Sequence, residues 1–308
     1  MSRRRRGRPV NGFLVLDKPQ GLSSSQAVQK AKRLYNAQKV GHTGSLDPIA
    51  TGVLPLCFGE ATKFSQYLLA SDKKYWTRIR LGVATDTGDA DGEIIEERAL
   101  DGITEADVEQ ALTSFRGEFD QVPSMYSAIK HNGQPLYKLA RQGVEVERKS
   151  RRVTVFENRL VAFEGDTLEL QVHCSKGTYI RTIAEDLGQA LGCGAHVIAL
   201  RRLAAGPFAE DELVDFSEIE AACEERRGDE LLQPIENAVR MWPKLVLEES
   251  TAYYLRQGQP VIVPRAPTGG FVRLAAAGSE SDQTFIGVGE ILDDGRVAPR
   301  RLLANLQL

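Results

Sequence analysis

The chain of 308 residues is 42% apolar and 26% charged, enough for one large domain and a small one and ordinary for a globular protein. Its longest apolar runs, such as FLVL at 13–16, are far too short to span a bilayer, and the Arg-rich start is followed by about four apolar residues against the ~7–15 of a secretory segment, so a cytoplasmic protein away from the membrane is expected. The formal charge of -3 speaks against polyanion binding only until it is resolved along the chain: residues 210–230 carry -8 by themselves, leaving +5 elsewhere.

Residues 1–8 read as a basic, flexible tail. FLVLD within 9–19 predicts a short strand stopped at Lys18-Pro19, and 24–35 an amphipathic helix capped by Ser23 or Ser24. The Gly- and Pro-rich stretch 41–59 predicts turn or loop around a short helix. YWTRIRLGV at 75–83 alternates enough for a strand. Thr104 caps a predicted helix over 104–116, with Val108, Leu112 and Phe115 on one face. Residues 121–152, including PLYKLARQG, read as an excursion from the main sheet, followed by strands at 153–163 and 167–174. Ile180, Ile183, Ala184, Leu187 and Leu191 recur at helical spacing, with Gly192 at the C′ position of a helix over 180–191. The acidic stretch 210–230 reads as a surface helix, 234–244 as a linker, and 245–308 as short strands of a small all-β module. The fold class is α+β: a mixed β-sheet domain with flanking helices over 9–244, then an all-β domain over 245–308.

Four cysteines without pattern (Cys57, Cys174, Cys193, Cys223) point to reduced, mostly buried thiols. Basic clusters at Arg3–Arg6 and Arg8, at Arg148, Lys149, Arg151 and Arg152, and at Arg201 and Arg202 suggest a polyanion-binding surface. In GHTGSLDPIATGVLPL at 41–56, Asp47 before Pro48 has two readings. It is a good N-cap and N1 pair, which spacing alone favours, or a carboxylate held by a rigid loop at the mouth of a cleft. His42 is open in the same way. DTGDADG at 86–92 is not a calcium loop, since Thr87 and Arg98 would stand where Asp and Glu are needed; a turn suffices. His173, Cys174, Cys193 and His196 are nominal metal ligands, but adjacent residues of a strand face opposite ways, so no metal site is expected. In SKGTYIR at 175–181, Arg181 is a cation at a helix start, where the dipole disfavours it, which hints at an anionic partner.

The run GHTGSLDPIATG at 41–52 resembles the catalytic loop of the TruB-type tRNA pseudouridine-55 synthases. So, in the same order, do LDKPQGLSSS at 16–25, DKKYWTRIRLG at 72–82, TDTGDADG at 85–92, VPSMYSAIKHNGQPLYKLARQG at 122–143, HCSKGTYIRTIAEDLG at 173–188 and CGAHVIALRRL at 193–203. The blocks span most of residues 10–205. Ser23 departs from the Thr more common there, and 245–308 resembles a PUA RNA-binding module less specifically.

The resemblance implies a pseudouridine synthase catalytic domain with Asp47 as its essential carboxylate and Arg181 pairing with it. It implies that Tyr75 stacks on the flipped uracil and helps remove the C5 proton, and that Tyr179 and Leu200 line the base pocket. His42 would fill the space left in the T-loop, and Lys18 and Lys130 would shape the site or contact RNA. Residues 121–152 would grip RNA. The isomerisation gains no atoms and involves no redox change, so no cofactor or metal is implied. The implied partner is tRNA, bound by a monomer with no obligatory protein partner. Two rivals stand beside this reading: a relative of the same fold working with a guide RNA, and a non-catalytic RNA-binding protein in which Asp47 only caps a helix.

Overall fold

The computed structural model describes residues 7–278 and 283–304. The chain opens with strand β1 (Gly12–Lys18), helix α1 (Ser24–Leu34), β2 (Val40–His42) and β3 (Ala50–Phe58), then α2 (Ser65–Leu69) and β4 (Lys73–Leu81). A ribbon of β5 (Val83–Thr85) and β6 (Ile94–Glu97) precedes α3 (Glu105–Leu112) and β7 (Gly117–Gln121). The excursion holds a small hairpin, β8 (Lys130–His131) and β9 (Gln134–Pro135), and α4 (Leu136–Ala140). Next come β10 (Arg151–Glu164), β11 (Thr167–Cys174), α5 (Ile180–Ala190), β12 (Ala195–Ala205), β13 (Phe208–Ala209) and α6 (Phe216–Glu224). The C-terminal part comprises β14 (Lys244–Leu247), α7 (Glu249–Arg256), β15 (Gly270–Ala277), β16 (Gln283–Ile291) and β17 (Val297–Leu302).

The architecture is α+β. A nine-stranded mixed sheet runs β1-β3-β12-β4-β11-β10-β7, with β2 and β13 at its side, and a second sheet runs β14-β15-β16-β17. Among the described residues, the β12–β3 pair alone of the large sheet is parallel. Helices α1, α3, α5 and α6 cover one face, where Leu14, Leu54, Ile79, Leu170, Ile183 and Leu187 share one core. Around β1 and β3 the other face is buried too: Phe13, Val53, Cys57 and Phe208 pack with Phe285 and Val288 of the C-terminal sheet. This double burial is why FLVL is a continuous apolar run rather than an alternating one.

Several expectations need correction. Residues 50–58 are a central strand, not loop. Pro55 is tolerated inside it because its carbonyl turns to the Thr43 amide at 3.2 Å, in the gap between the β12 pairing at 50–52 and the β2 pairing at 56–58, where its missing N–H breaks no ladder. Gly52 (φ +91) lets β3 and β12 approach, since a Cβ there would lie 2.3 Å from the Arg202 carbonyl. Residues 234–244 are not a free linker: a 3₁₀ turn at Ile235–Val239 buries Ala238 and Val239 in the second core. The C-terminal module is the expected β-sheet domain, with one added helix, α7, which buries Ala252 and Leu255 against its sheet. Residues 1–6 of the expected tail lie outside the described residues. Arg8, however, is anchored: its guanidinium pairs with Asp229 at 2.6 Å and its backbone bridges to Ala37.

Candidate active site

The loop that carries Asp47 is built from the start of the chain. Ser23 is the N-cap of α1, completing a capping box with Gln26. That leaves Ser24 free to reach across: its Oγ accepts from the Leu46 amide at 2.7 Å and lies 3.1 Å from the Leu46 carbonyl. The Gly21 amide donates to the Pro48 carbonyl at 2.8 Å. Lys18 is fully buried beneath, its ammonium donating to the carbonyls of Leu22 (2.6 Å) and Pro19 (2.8 Å). Burial pushes the Lys18 pKa down to about 8. After Asp47 the chain makes one turn, closed by the Ala50 amide on the Asp47 carbonyl at 3.1 Å, and enters β3. No helix begins there, so Asp47 caps none and its carboxylate is free for another partner.

That partner is Arg181, at the start of α5. Its Nε lies 3.0 Å from Asp47 Oδ2 and its Nη1 3.2 Å from Asp89 Oδ2. Nη1 also donates to the Thr87 carbonyl at 2.7 Å and Nη2 to the Tyr126 carbonyl at 3.0 Å. Every edge of the guanidinium is engaged, so its plane is fixed and Nε can point only at Asp47. The Arg181 side chain is 5% exposed and that of Asp47 39%. The buried base of the pair is thus rigid and its carboxylate end open. Removal from water raises the Asp47 pKa above the usual carboxylate value, Arg181 opposes the rise, and the Asp89 charge adds to it.

Asp47 and Arg181 form the floor of a cavity of about 500 Å³ whose walls include Tyr75, Tyr179, Leu200 and Lys130. Tyr75 projects from β4 and Leu200 from β12, with Leu200 in register with Ala50 three residues after Asp47. Tyr179 is held by its backbone, its amide donating to Gln121 Oε1 (2.8 Å) and its carbonyl accepting from Gln121 Nε2 (3.1 Å). Burial raises the pKa of both tyrosines, so their hydroxyls stay protonated. Lys130, on β8, is exposed at the rim. Two of the expected residues stand outside the cavity wall. Lys18 lies under the loop. His42 is half-buried on β2, its Nδ1 accepting from the Gly44 amide at 3.3 Å, and burial lowers its pKa.

Three residues beside the cavity were not anticipated as such. Asp89 sits in the DTGDADG turn, 4% exposed. Thr87 Oγ1 donates to its Oδ1 at 2.7 Å, so the turn exists to hold a buried acid against Arg181. Arg202 is 1% exposed, bonded to the carbonyls of Val53 (2.7 Å) and Gly44 (3.2 Å). Lys73 is buried in the cavity wall. The Arg201–Arg202 cluster is therefore no open basic patch, since Arg201 is also spoken for by Asp17 at 3.0 Å. Of the second cluster, Arg148 bonds the Pro123 carbonyl at 3.1 Å, Arg152 pairs with Glu118 at 3.4 Å, and Arg151 faces the cavity. Among the nominal metal ligands, His173 packs on Phe156, Cys174 is buried on the opposite face, and His196 Nδ1 meets the Val83 carbonyl at 2.8 Å.

The pattern of the TruB family pseudouridylate synthase N-terminal domain matches residues 32–180. That of the tRNA pseudouridylate synthase B C-terminal domain matches 181–240, and that of the pseudouridine synthase II TruB C-terminal region 243–303. The chain is 55% identical over 299 residues to the tRNA pseudouridine synthase B of Coxiella burnetii, covering 96% of each, and 54% identical over 315 residues to that of Serratia proteamaculans, covering 99% of each. Among solved structures it is similar to a chain of a Cbf5-Nop10-Gar1 complex, with TM-score 0.72 and 26% identity over 94% of this chain and 84% of that one.

Proposed function

Because the chain belongs to the TruB family of pseudouridylate synthases, it forms pseudouridine in tRNA, and we propose that its target is uridine 55 of the T-loop, isomerised by base flipping with Asp47 as the essential carboxylate. The observation that carries the reading is the Asp47–Arg181 pair, 3.0 Å apart on the floor of a cavity large enough for a nucleobase and walled by two tyrosines and a leucine. A loop uridine leaves its stack at a cost of a few kcal/mol, and ring stacking returns ~1–3 kcal/mol per base. Asp47, aimed by Arg181, acts at the target nucleotide as the N1–C1′ bond breaks. Uracil turns within the pocket, C5 joins C1′, and the proton lost from C5 is matched by one taken up at N1, so that the product is an isomer of the uridine. His42 fills the place vacated in the T-loop, and Lys130 and Arg151 meet phosphates at the rim. The enzyme works as a monomer in the cytoplasm, where its tRNA is. Incubation with an unmodified tRNA transcript, followed by mapping of pseudouridine, tests the assignment: modification at a position other than 55, or none, overturns it.

Tyr75 carries a separable expectation. Tyr75→Phe keeps the ring and loses the hydroxyl, so tRNA affinity should stay within a factor of ~3 while the single-turnover rate falls ~10²-fold. Since the hydroxyl is protonated at rest, its part in removing the C5 proton is that of a relay which gives up its own proton as it takes another. Tyr75→Ala should also weaken binding, by ~1–3 kcal/mol. A parental rate in Tyr75→Phe removes the hydroxyl from the mechanism and leaves stacking.

The C-terminal module is PUA-like and grips RNA away from the cavity. Tyr253 and Tyr254 on α7 stand 58% and 52% exposed, their rings 5.5 Å apart, with Arg256 on the same helix. Replacing both tyrosines with Ala should weaken tRNA binding by ~1–3 kcal/mol, as lost stacking does, and leave the single-turnover rate at saturating enzyme unchanged. Equal affinity of the parent and the double variant, in a binding titration, would place the RNA contact elsewhere.

A further inference from the structure

The cavity wall holds a buried charge for which the reaction above has no use. Lys73, the first residue of β4, is 7% exposed. Its ammonium donates to the carbonyls of Leu68 and Leu69, at 3.1 Å each, and to that of Ser71. Three acceptors use up the three donors of an ammonium, and all three are neutral. A methionine here would fill similar space without burying a charge. The carbonyls of Leu68 and Leu69 are the last of α2, where the helix dipole favours a cation.

On its other side α2 meets the C-terminal module. Tyr67 packs edge-on against Trp242 (4.9 Å between ring centres) and Phe271 (5.7 Å), and Phe64, just before the helix, lies 5.7 Å from Phe285. At the cavity end, Leu69 is 47% exposed and lines the wall together with Lys73. Tyr75 follows two residues later on the same face of β4. One short helix therefore reaches from the C-terminal module to the base pocket, and its pocket end is tied to the strand that carries Tyr75.

We infer that Lys73 is a positioning residue for the base pocket: by binding the end of α2 to the start of β4 it fixes Leu69 and Tyr75 relative to each other and couples that setting to the C-terminal module. The inference rests on the pseudouridine-forming reading. The clamp is a property of the charged amine, since a neutral amine offers two donors to three carbonyls. The groups around it are Arg202 of β12, Cys174 at the end of β11, Lys176 beyond it and Asp72 in the preceding turn. Burial holds the Cys174 thiol up at about 12, so it contributes no charge. Burial, with Arg202, pushes the Lys73 pKa down to about 8, so the clamp is complete below that pH and lost above it.

The test is the single-turnover rate on an unmodified tRNA transcript at saturating enzyme, from about pH 6 to about pH 9.5, with transcript affinity and thermal unfolding measured on the same samples. The parent rate should fall above about pH 8. Lys73→Met should bind the transcript as the parent does, turn over ~10-fold more slowly and show a shallower alkaline limb, an effect that lost packing alone would not produce. The remainder of the limb belongs to Lys18 under the Asp47 loop, whose pKa is also about 8. Lys73→Arg, permanently charged, should keep most of the rate and extend it to higher pH. A parental rate in Lys73→Met, or an unchanged alkaline limb in Lys73→Arg, overturns the inference. Should neither variant fold, a parent profile that stays flat through pH 8 overturns it by itself. A parent that forms no pseudouridine at all removes the assigned reaction, and with it this role; a parent that does, beside a Lys73→Met that matches it, removes this role alone.

Discussion

Asp47→Asn should abolish pseudouridine formation, with a single-turnover loss of ~10³-fold or more, while the fold and most of the tRNA affinity survive. Asn keeps the size of Asp and can still accept from Arg181, but it carries no charge and cannot act as a nucleophile or base. The loop does not depend on the carboxylate: it is held by Ser24 Oγ on Leu46, by the Gly21 amide on Pro48 and by the Lys18 ammonium below, 3.5 Å from the Pro48 carbonyl. A small change in melting temperature beside a large loss of rate is therefore expected. The parent should also show an acid limb. The active form is the ionised carboxylate, and burial raises the Asp47 pKa, so the rate is full above that pKa and lost as pH falls through it, higher on the pH scale than for an ordinary aspartate. Substantial turnover by a folded Asp47→Asn protein would return Asp47 to a structural role.

How much of this was legible in the sequence follows the physics of each element. Helix α5 was legible because its apolar residues face one core, so Ile180, Ile183, Ala184 and Leu187 repeat at helical spacing, while Arg181 and Thr182 between them are polar although buried. The same holds for α3, whose Thr104 cap and buried Val108 and Leu112 lie where expected. Strand β3 was not legible, because burial on both faces erases alternation and Gly52 and Pro55 mimic a loop. Asp47 was visible as a lone carboxylate in a Gly/Pro frame, but whether it capped a helix depended on what followed Pro48, and that is decided by the pairing of Ala50 with Leu200 far along the chain. Asp89 was hidden by its own turn chemistry: aspartates suit turns, and nothing local says which one is buried. Charge clusters misled for a related reason. Arg201 and Arg202 look like a basic patch in sequence, yet folding brings Asp17 to one and the carbonyls of Val53 and Gly44 to the other.

The second large effect is expected at Arg181, where stability and chemistry can be pulled apart. Arg181→Met strips two carboxylates of their common cation. Asp89, 4% exposed, becomes a buried charge without that partner, a change that typically costs ~3–5 kcal/mol. Asp47 loses its aim and the influence that held its pKa down, so what activity remains should need a higher pH than the parent does. The variant should therefore melt at lower temperature and lose ~10³-fold in single-turnover rate. Adding Asp89→Asn removes the stranded charge. The double variant should recover most of the lost melting temperature, because Asn can still accept from Thr87 and the Asp91 amide as Asp89 Oδ1 does, but it should recover none of the rate, because nothing again points at Asp47. Arg181→Lys should fall between: an ammonium can satisfy one carboxylate as a point charge but cannot span Asp47, Asp89 and the carbonyls of Thr87 and Tyr126 in one plane. Melting curves, rates and pH profiles on the four proteins check the scheme. If the double variant regains rate along with stability, Arg181 serves the fold alone and Asp47 is aimed by something else.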